Sequence, residues 1–295
     1  MFVRIEDIRN SLLENGFQVE EIERIPIGVM TDKFVFRSNG CNYVARCYPR
    51  NRGYLAEAEY NYMQLFHERG ILCPRPVRCI DVGGNECLVY EYLEGRMLSD
   101  VYEEMSEEDR NMVCSEIVEN YILISTIWCN GYGLMKGFEH FTYQNMSEWG
   151  REVERNAENW IRQYGEQNIW AGCALDKFKK EIKEVRETQP VLIWSDLSMD
   201  NIIVDQKGSL VGFVDFEGLM GADVHLGIGY MQAHENNSDF AKRIISLMPD
   251  MDEKKIDVYA LLRYMNILPY THLDLPNGEK RENINQYLSY VRGNL

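Results

Sequence analysis

Apolar and polar residues alternate along the chain in two styles, strand-like in the first third and mostly helical after it. Ile5, Ile8, Leu12 and Leu13 recur at helical spacing, and Gly16 supplies a stop, so the chain is predicted to open with a helix. VEEIERIPIG, KFVFRS and CNYVARCY then read as strands. Asn39-Gly40, between the last two, is the dipeptide favoured in tight hairpin turns. YLAEAEYNYMQLFHERG returns to the helical period and ends at Gly70, just before Pro74. Two more strands, PVRCID and ECLVYEY, flank a turn at Val82-Gly83-Gly84-Asn85.

Past Glu94-Gly95 the pattern becomes helical. Ser106 with Asp109 forms a helix-start signature, and a long helix is predicted to about Cys129. Two further helices are expected around 147–165 and 171–187. Residues 193–217, IWSDLSMDNIIVDQKGSLVGFVDFE, read as a strand, a loop and a hairpin of NIIV, the turn DQKG, and SLVGFVD. From about 239 helix returns, with Leu261, Leu262 and Met265 at helical spacing. The prediction is an α+β chain of two lobes. Residues 1–92 form a small lobe of antiparallel strands with one inserted helix, and residues 93–295 a larger, mainly helical lobe carrying one hairpin.

Composition narrows the function classes. A chain of 295 residues with 45% apolar and 12% aromatic content can bury a sizeable core unaided. A net charge of −16 argues against nucleic acid or an anionic membrane surface as partner, and suits a cationic substrate. The eight cysteines include no C-x-x-C pair, and most lie in apolar segments, so free thiols in a reducing cytoplasm are expected. The N-terminus has no apolar signal core. The run IVENYILISTIWC is too short, and too interrupted by polar residues, to span a bilayer. The five histidines show no metal-ligand spacing, and the P-loop, H-E-x-x-H and G-x-S-x-G patterns are absent.

The candidate chemistry lies in 193–217. Asp196 and Asp215 each end an apolar run, and Asn201 follows the first by five places. A carboxylate beside a buried strand must be paired, hydrogen-bonded or metal-bound, because isolated burial is too costly. D-x4-N followed by a hairpin and a second Asp matches the needs of phosphoryl transfer. One carboxylate accepts the proton of the attacking hydroxyl, while a second carboxylate and an amide oxygen hold magnesium. Asp196 takes the first role and Asn201 with Asp215 the second. D-x4-N alone arises by chance among 47 acidic residues; the flanking strands and the second strand-end Asp give it weight.

With those residues in view, the segment resembles the catalytic stretch of the aminoglycoside phosphotransferase and choline kinase family, small-molecule relatives of protein kinases. That stretch usually reads H-x-D-x4-N, a hairpin, then Asp and an aromatic. The resemblance extends over nearly the whole chain and implies a two-lobed protein-kinase-like fold, with Mg2+ as cofactor and ATP or GTP as phosphate donor. IGVMTDKFVF resembles the turn that covers the nucleotide, with Gly28 and Thr31. Arg46 in NYVARCY stands where the family carries the basic residue for the α/β-phosphates, and Glu59 matches its helix partner. LVYEYLEG resembles the linker that receives adenine, which implicates Glu91, Tyr92 and Leu93; GYGLM at 131–135 is a further likeness. The acceptor implied is a hydroxyl of a small, cationic molecule. An aminoglycoside-like antibiotic stands first, and choline or another amino alcohol second, because GVMTDKFVF is similar to the choline kinase turn.

Three departures accompany the likeness. Trp194 replaces the usual histidine, arginine replaces the commoner lysine at position 46, and GADVHLGIGY matches the family's GDP-x-x-D ending only loosely. Trp194 supports a rival reading, a nucleotide-binding regulator without turnover. A protein kinase is disfavoured, since no A-P-E and no phosphorylatable segment follows Asp215. Glu217 and Asp223 are candidate contacts to a cationic substrate, against the plainer reading of solvated surface charges. Trp128, Trp149, Trp160 and Trp170 read as core residues rather than a cation cage.

Overall fold

The two-residue turn at Asn39-Gly40 fixes the register of the first sheet. Both residues take positive φ, 51° and 76°, as the favoured hairpin turn requires, and Ser38 consequently pairs with Cys41. In this computed structural model the described residues are 3–26, 31–165, 169–185, 188–235 and 238–268.

In chain order the elements are α1 (Ile5–Glu14), β1 (Val19–Ile25), β2 (Asp32–Ser38), β3 (Cys41–Cys47), α2 (Tyr54–Glu68), β4 (Pro76–Val82) and β5 (Asn85–Glu91). A short β6 (Arg96–Met97) and α3 (Leu98–Val101) lead to α4 (Glu107–Ser125), β7 (Tyr132–Gly137), β8 (His140–Tyr143), α5 (Met146–Tyr164) and α6 (Ile169–Glu181). Then come β9 (Val191–Trp194), β10 (Ile202–Val204), β11 (Leu210–Phe213), β12 (Leu219–Ala222), α7 (Val224–His234), α8 (Asp239–Leu247) and α9 (Glu253–Ile267).

Packing divides the chain into two units. One comprises residues up to Met105, Met135–His140 and Met199–Glu217; the other comprises Ser106–Leu134, Phe141–Ser198 and the residues from Gly218 on. The expected boundary at 92–93 follows chain order, whereas this grouping follows contacts. β10 pairs with β6 and with β11, and the Phe213 amide donates to the Leu72 carbonyl at 3.1 Å, so the β10–β11 hairpin counts with the N-terminal residues.

The first unit holds an antiparallel sheet of order β1-β2-β3-β5-β4. Ile8 and Leu12 of α1 join Phe34, Phe36, Ala45, Val82 and Val89 in one buried cluster. Leu13, assigned to the same helical face, is instead half exposed. The second unit is mainly helical. The Ser106 hydroxyl accepts from the Asp109 amide at 3.1 Å, so α4 starts where the signature placed it, although it ends at Ser125 rather than near Cys129.

Four elements carry no clear pattern in the sequence. The β7–β8 hairpin begins in the glycine-rich GYGLMKG, and β12 is buried at all four positions and so shows no alternation. α7 contains two glycines, a poor helix composition, yet a side chain at Gly227 would meet the Tyr121 hydroxyl within 1.9 Å. Close packing overrides propensity there. Trp149 and Trp160 are buried while Trp128 is 73% exposed, so these three line no common cage. The side chain of Trp170 lies outside the described residues. All eight cysteines are free, and among the described residues no helix is long and apolar enough to cross a membrane.

Candidate active site

The hairpin register places Lys33 directly opposite Arg46. Arg46 is 1% exposed, and a buried guanidinium is tolerable only if every side of it meets a partner. Its Nη1 donates to Glu59 Oε2 at 3.1 Å, its Nη2 to Asp215 Oδ1 at 2.6 Å, and its Nε to the Thr31 hydroxyl at 3.2 Å. Glu217 Oε2 lies 3.0 Å from the same Nη2 and 3.4 Å from Arg52. A further member is Lys33, whose Nζ donates to Asp215 Oδ2 at 2.9 Å. Three carboxylates and three cations thus meet within the first unit.

Burial and pairing act oppositely on these acids. Burial pushes Glu59 up to about 7, with Arg46 opposing and the charges of Asp215 and Glu217 adding to the rise. Burial would raise Asp215 too, but Arg46 and Lys33 outweigh it and hold that carboxyl well below the usual carboxylate range. Asp215 therefore stays ionised.

Local geometry aims Asp215 beside Asn201. Ile202 pairs with Phe213, and the Val214 amide donates to the Asn201 carbonyl at 3.0 Å, so the two residues leave adjacent ends of the β10–β11 hairpin. The turn is completed by a left-handed backbone at Asp215, φ 69°, a conformation aspartate tolerates better than most residues. Among the described residues no group of three His, Cys, Asp or Glu side chains gathers as a metal cage. The donor set nevertheless fits magnesium: one ionised carboxylate that already attracts cations and one amide oxygen, both hard, leave coordination positions for phosphate oxygens and water.

Asp196 belongs to the second unit, just beyond β9. Its loop is closed by the Ser195 amide and hydroxyl, which both donate to the Gly218 carbonyl, at 3.0 and 2.7 Å. Trp194 is fully buried and pairs with Leu219, so the indole that replaces histidine fills core space behind this loop. Asp196 itself is partly exposed.

The remaining expectations fare unevenly. Arg46 and Glu59 meet as the resemblance implies, and Thr31 adds a hydrogen bond to the same guanidinium. In the linker, the Glu91 amide donates to the Arg75 carbonyl at 2.9 Å and the Tyr92 amide to the Asn42 carbonyl at 3.0 Å. Those two amides are engaged by the fold, leaving carbonyl oxygens and the neighbouring Leu93 as what the linker can offer a base. Gly28 lies outside the described residues. Glu217 is not a solvated surface charge, since Arg46 and Arg52 flank it.

Asp223, read as a candidate substrate contact, caps a helix and is buried rather than solvated. It is 5% exposed and starts α7, accepting from the His225 amide at 2.9 Å and pairing with the His225 ring. Its other oxygen accepts from the Thr188 hydroxyl at 3.0 Å and from Lys255 at 3.1 Å. Burial opposes ionisation, but the His225 bonds and Lys255 prevail and hold the carboxyl well below its ordinary range. Asp223→Ala is expected to lower stability by about 2–4 kcal/mol, a lost helix cap plus an unpaired, mostly buried lysine, read as a lower urea midpoint. Because the folded value is depressed, this contribution is complete above the ordinary carboxylate range and is lost as pH falls below it.

Lys33 is the residue that sequence reasoning missed. The signal was present: a two-residue turn at 39–40 pairs 38 with 41, and counting back along both strands pairs 33 with 46.

Comparison with known proteins gives the family and the fold. Residues 21–245 match the model of the phosphotransferase enzyme family. Among solved structures, aminoglycoside phosphotransferase APH(4)-Ia superposes with a TM-score of 0.74 over 98% of this chain and 99% of that one, at 15% identity. A GDP complex of an aminoglycoside 2'-phosphotransferase-IIIa mutant gives 0.75 over 98% and 97%, also at 15% identity. A thermostable APH(4)-Ia variant in ternary complex with AMP-PNP and hygromycin B gives 0.72 over 97% and 98%, at 14% identity. At such identities the likeness establishes the fold, α+β of the protein-kinase-like kind. No curated protein is similar enough in sequence to count as a match. With the family model spanning most of its length, the chain belongs to the phosphotransferase enzyme family.

Proposed function

We propose that this protein transfers the terminal phosphoryl group of ATP or GTP to a hydroxyl of a small cationic molecule, in a reaction that depends on Mg2+. The observation that carries this reading is the position of Asp215 at the hairpin end, adjacent to Asn201 and clamped by Arg46 and Lys33. Asn201 and Asp215 would hold the metal, which neutralises phosphate charge as the bond to the leaving diphosphate breaks. Arg46, oriented by Glu59, grips the phosphates. Asp196 orients the acceptor hydroxyl and takes its proton while the hydroxyl oxygen bonds to phosphorus and the nucleoside diphosphate leaves. The linker carbonyls at Glu91 and Tyr92, with Leu93, receive the base. Residues 1–92 serve mainly the nucleotide and residues 93–295 the acceptor and catalysis, and the free thiols suit a cytoplasmic setting.

An aminoglycoside-like acceptor is favoured, because a solved relative of the same fold binds hygromycin B together with a nucleotide and the acidic chain suits a polycation. Choline or another amino alcohol is the second reading, carried by the sequence GVMTDKFVF. A diphosphate-release screen with ATP and GTP across aminoglycosides, choline, homoserine, methylthioribose and macrolides tests both. Release stimulated by an aminoglycoside supports the first, and release stimulated only by choline transfers the assignment to the second.

A further inference from the structure

Asp215 divides its two oxygens between two different kinds of cation. Oδ1 meets Arg46, which is 1% exposed and fixed by Glu59 and Thr31 as well. Oδ2 meets Lys33, whose side chain is 17% exposed and forms no other ion pair among the described residues. A planar guanidinium bound on several sides cannot leave without breaking all its bonds at once. An ammonium on a four-carbon stem swings about rotatable bonds and loses one. Any metal ion taken by Asp215 needs a carboxylate oxygen, and the one with the movable tenant is Oδ2.

We propose that Lys33 is an exchangeable counter-ion on the metal carboxylate. It holds Asp215 aimed while the site is free. It then gives up the Oδ2 oxygen to the incoming cation and turns its ammonium to the phosphate oxygens of the nucleotide. Arg46 holds Oδ1 throughout, so the aspartate does not swing during the exchange. The inference rests on the proposed role of Asp215 as a metal ligand and adds a residue to it. It also gives a reason for arginine at position 46: a guanidinium has donors enough to anchor Asp215 while facing the phosphates, and the movable ammonium on the paired strand adds a second phosphate contact.

The exchange predicts effects of opposite sign, which a merely structural lysine would not produce. In the full chain without nucleotide, Lys33→Gln removes the competitor for Oδ2, and Mn2+, read by its paramagnetic resonance spectrum, should bind roughly three- to ten-fold more tightly. The same variant loses a phosphate partner, so ATP binding in the presence of Mg2+ should weaken about ten-fold by calorimetry. Lys33→Arg should restore most of the nucleotide affinity. Lys33→Met repeats the removal with a different side chain, so that a folding defect in one variant does not decide the outcome. If Lys33→Gln and Lys33→Met weaken Mn2+ binding, or leave both affinities unchanged while the native chain binds metal and nucleotide, the exchange is wrong and the proposed function stands. If the native chain binds neither, both fall together.

Discussion

Asp215→Ala is expected to abolish magnesium-dependent nucleotide binding and to lower turnover by roughly 10³-fold or more, the scale of losing a metal that neutralises transferring phosphate. The argument is electrostatic. Asp215 is held well below the usual carboxylate range by Arg46 and Lys33, so its carboxylate is available to a cation at this hairpin end. Its removal leaves Arg46 with Glu59 and Glu217 and takes away the carboxylate at the hairpin end. Alanine also adds a backbone cost of about 1 kcal/mol at φ 69°. Asp215→Asn accepts that conformation more readily and removes only the charge. Calorimetric titration of ATP with and without Mg2+ reads the effect; a magnesium-dependent component surviving in Asp215→Asn would count against the metal role.

Asp196→Ala should behave differently. Turnover is expected to fall about 10²- to 10⁴-fold, the usual worth of a positioned base, while the affinity for ATP with Mg2+ stays close to native. The contrast follows from where the groups lie. Arg46, Glu59, Lys33 and Asp215 hold one another within the first unit, whereas Asp196 belongs to the second. Steady-state kinetics with the best acceptor from the screen separates the cases. A loss in kcat with nucleotide KM unchanged supports the base role, and full activity in Asp196→Ala contradicts it.

Much of this was legible in the sequence because its signals are local. Asn39-Gly40 fixes a hairpin by turn geometry alone, Ser106-x-x-Asp109 marks a helix start, and D-x4-N with the hairpin and closing Asp after it marks Asp196, Asn201 and Asp215 as candidates. What was not legible depends on contacts distant in sequence. Glycines at 227 and 229 suggest a loop, and only the approach of Tyr121 and of α9 explains a helix there. β12 hides because a strand buried on both faces shows no period. Asp223 reads like any surface acid until Lys255 and Thr188 close around it. Trp194 resembles a catalytic lesion in the sequence, yet it is a fully buried core residue behind a loop that keeps its backbone closure. Lys33 is the instructive omission. The resemblance drew attention to position 46 alone, although plain hairpin counting placed a second cation opposite it.

The most direct test of the central claim follows the phosphorus atom itself. The purified chain is incubated with ATP or GTP, Mg2+ and each acceptor of the screen, and phosphorus magnetic resonance records where the γ-phosphate goes. Transfer predicts a new phosphomonoester signal on one acceptor, growing in step with the nucleoside diphosphate and vanishing in Asp215→Asn. Tight magnesium-dependent nucleotide binding with no phosphomonoester on any hydroxyl acceptor would contradict it and make this protein a nucleotide-binding regulator.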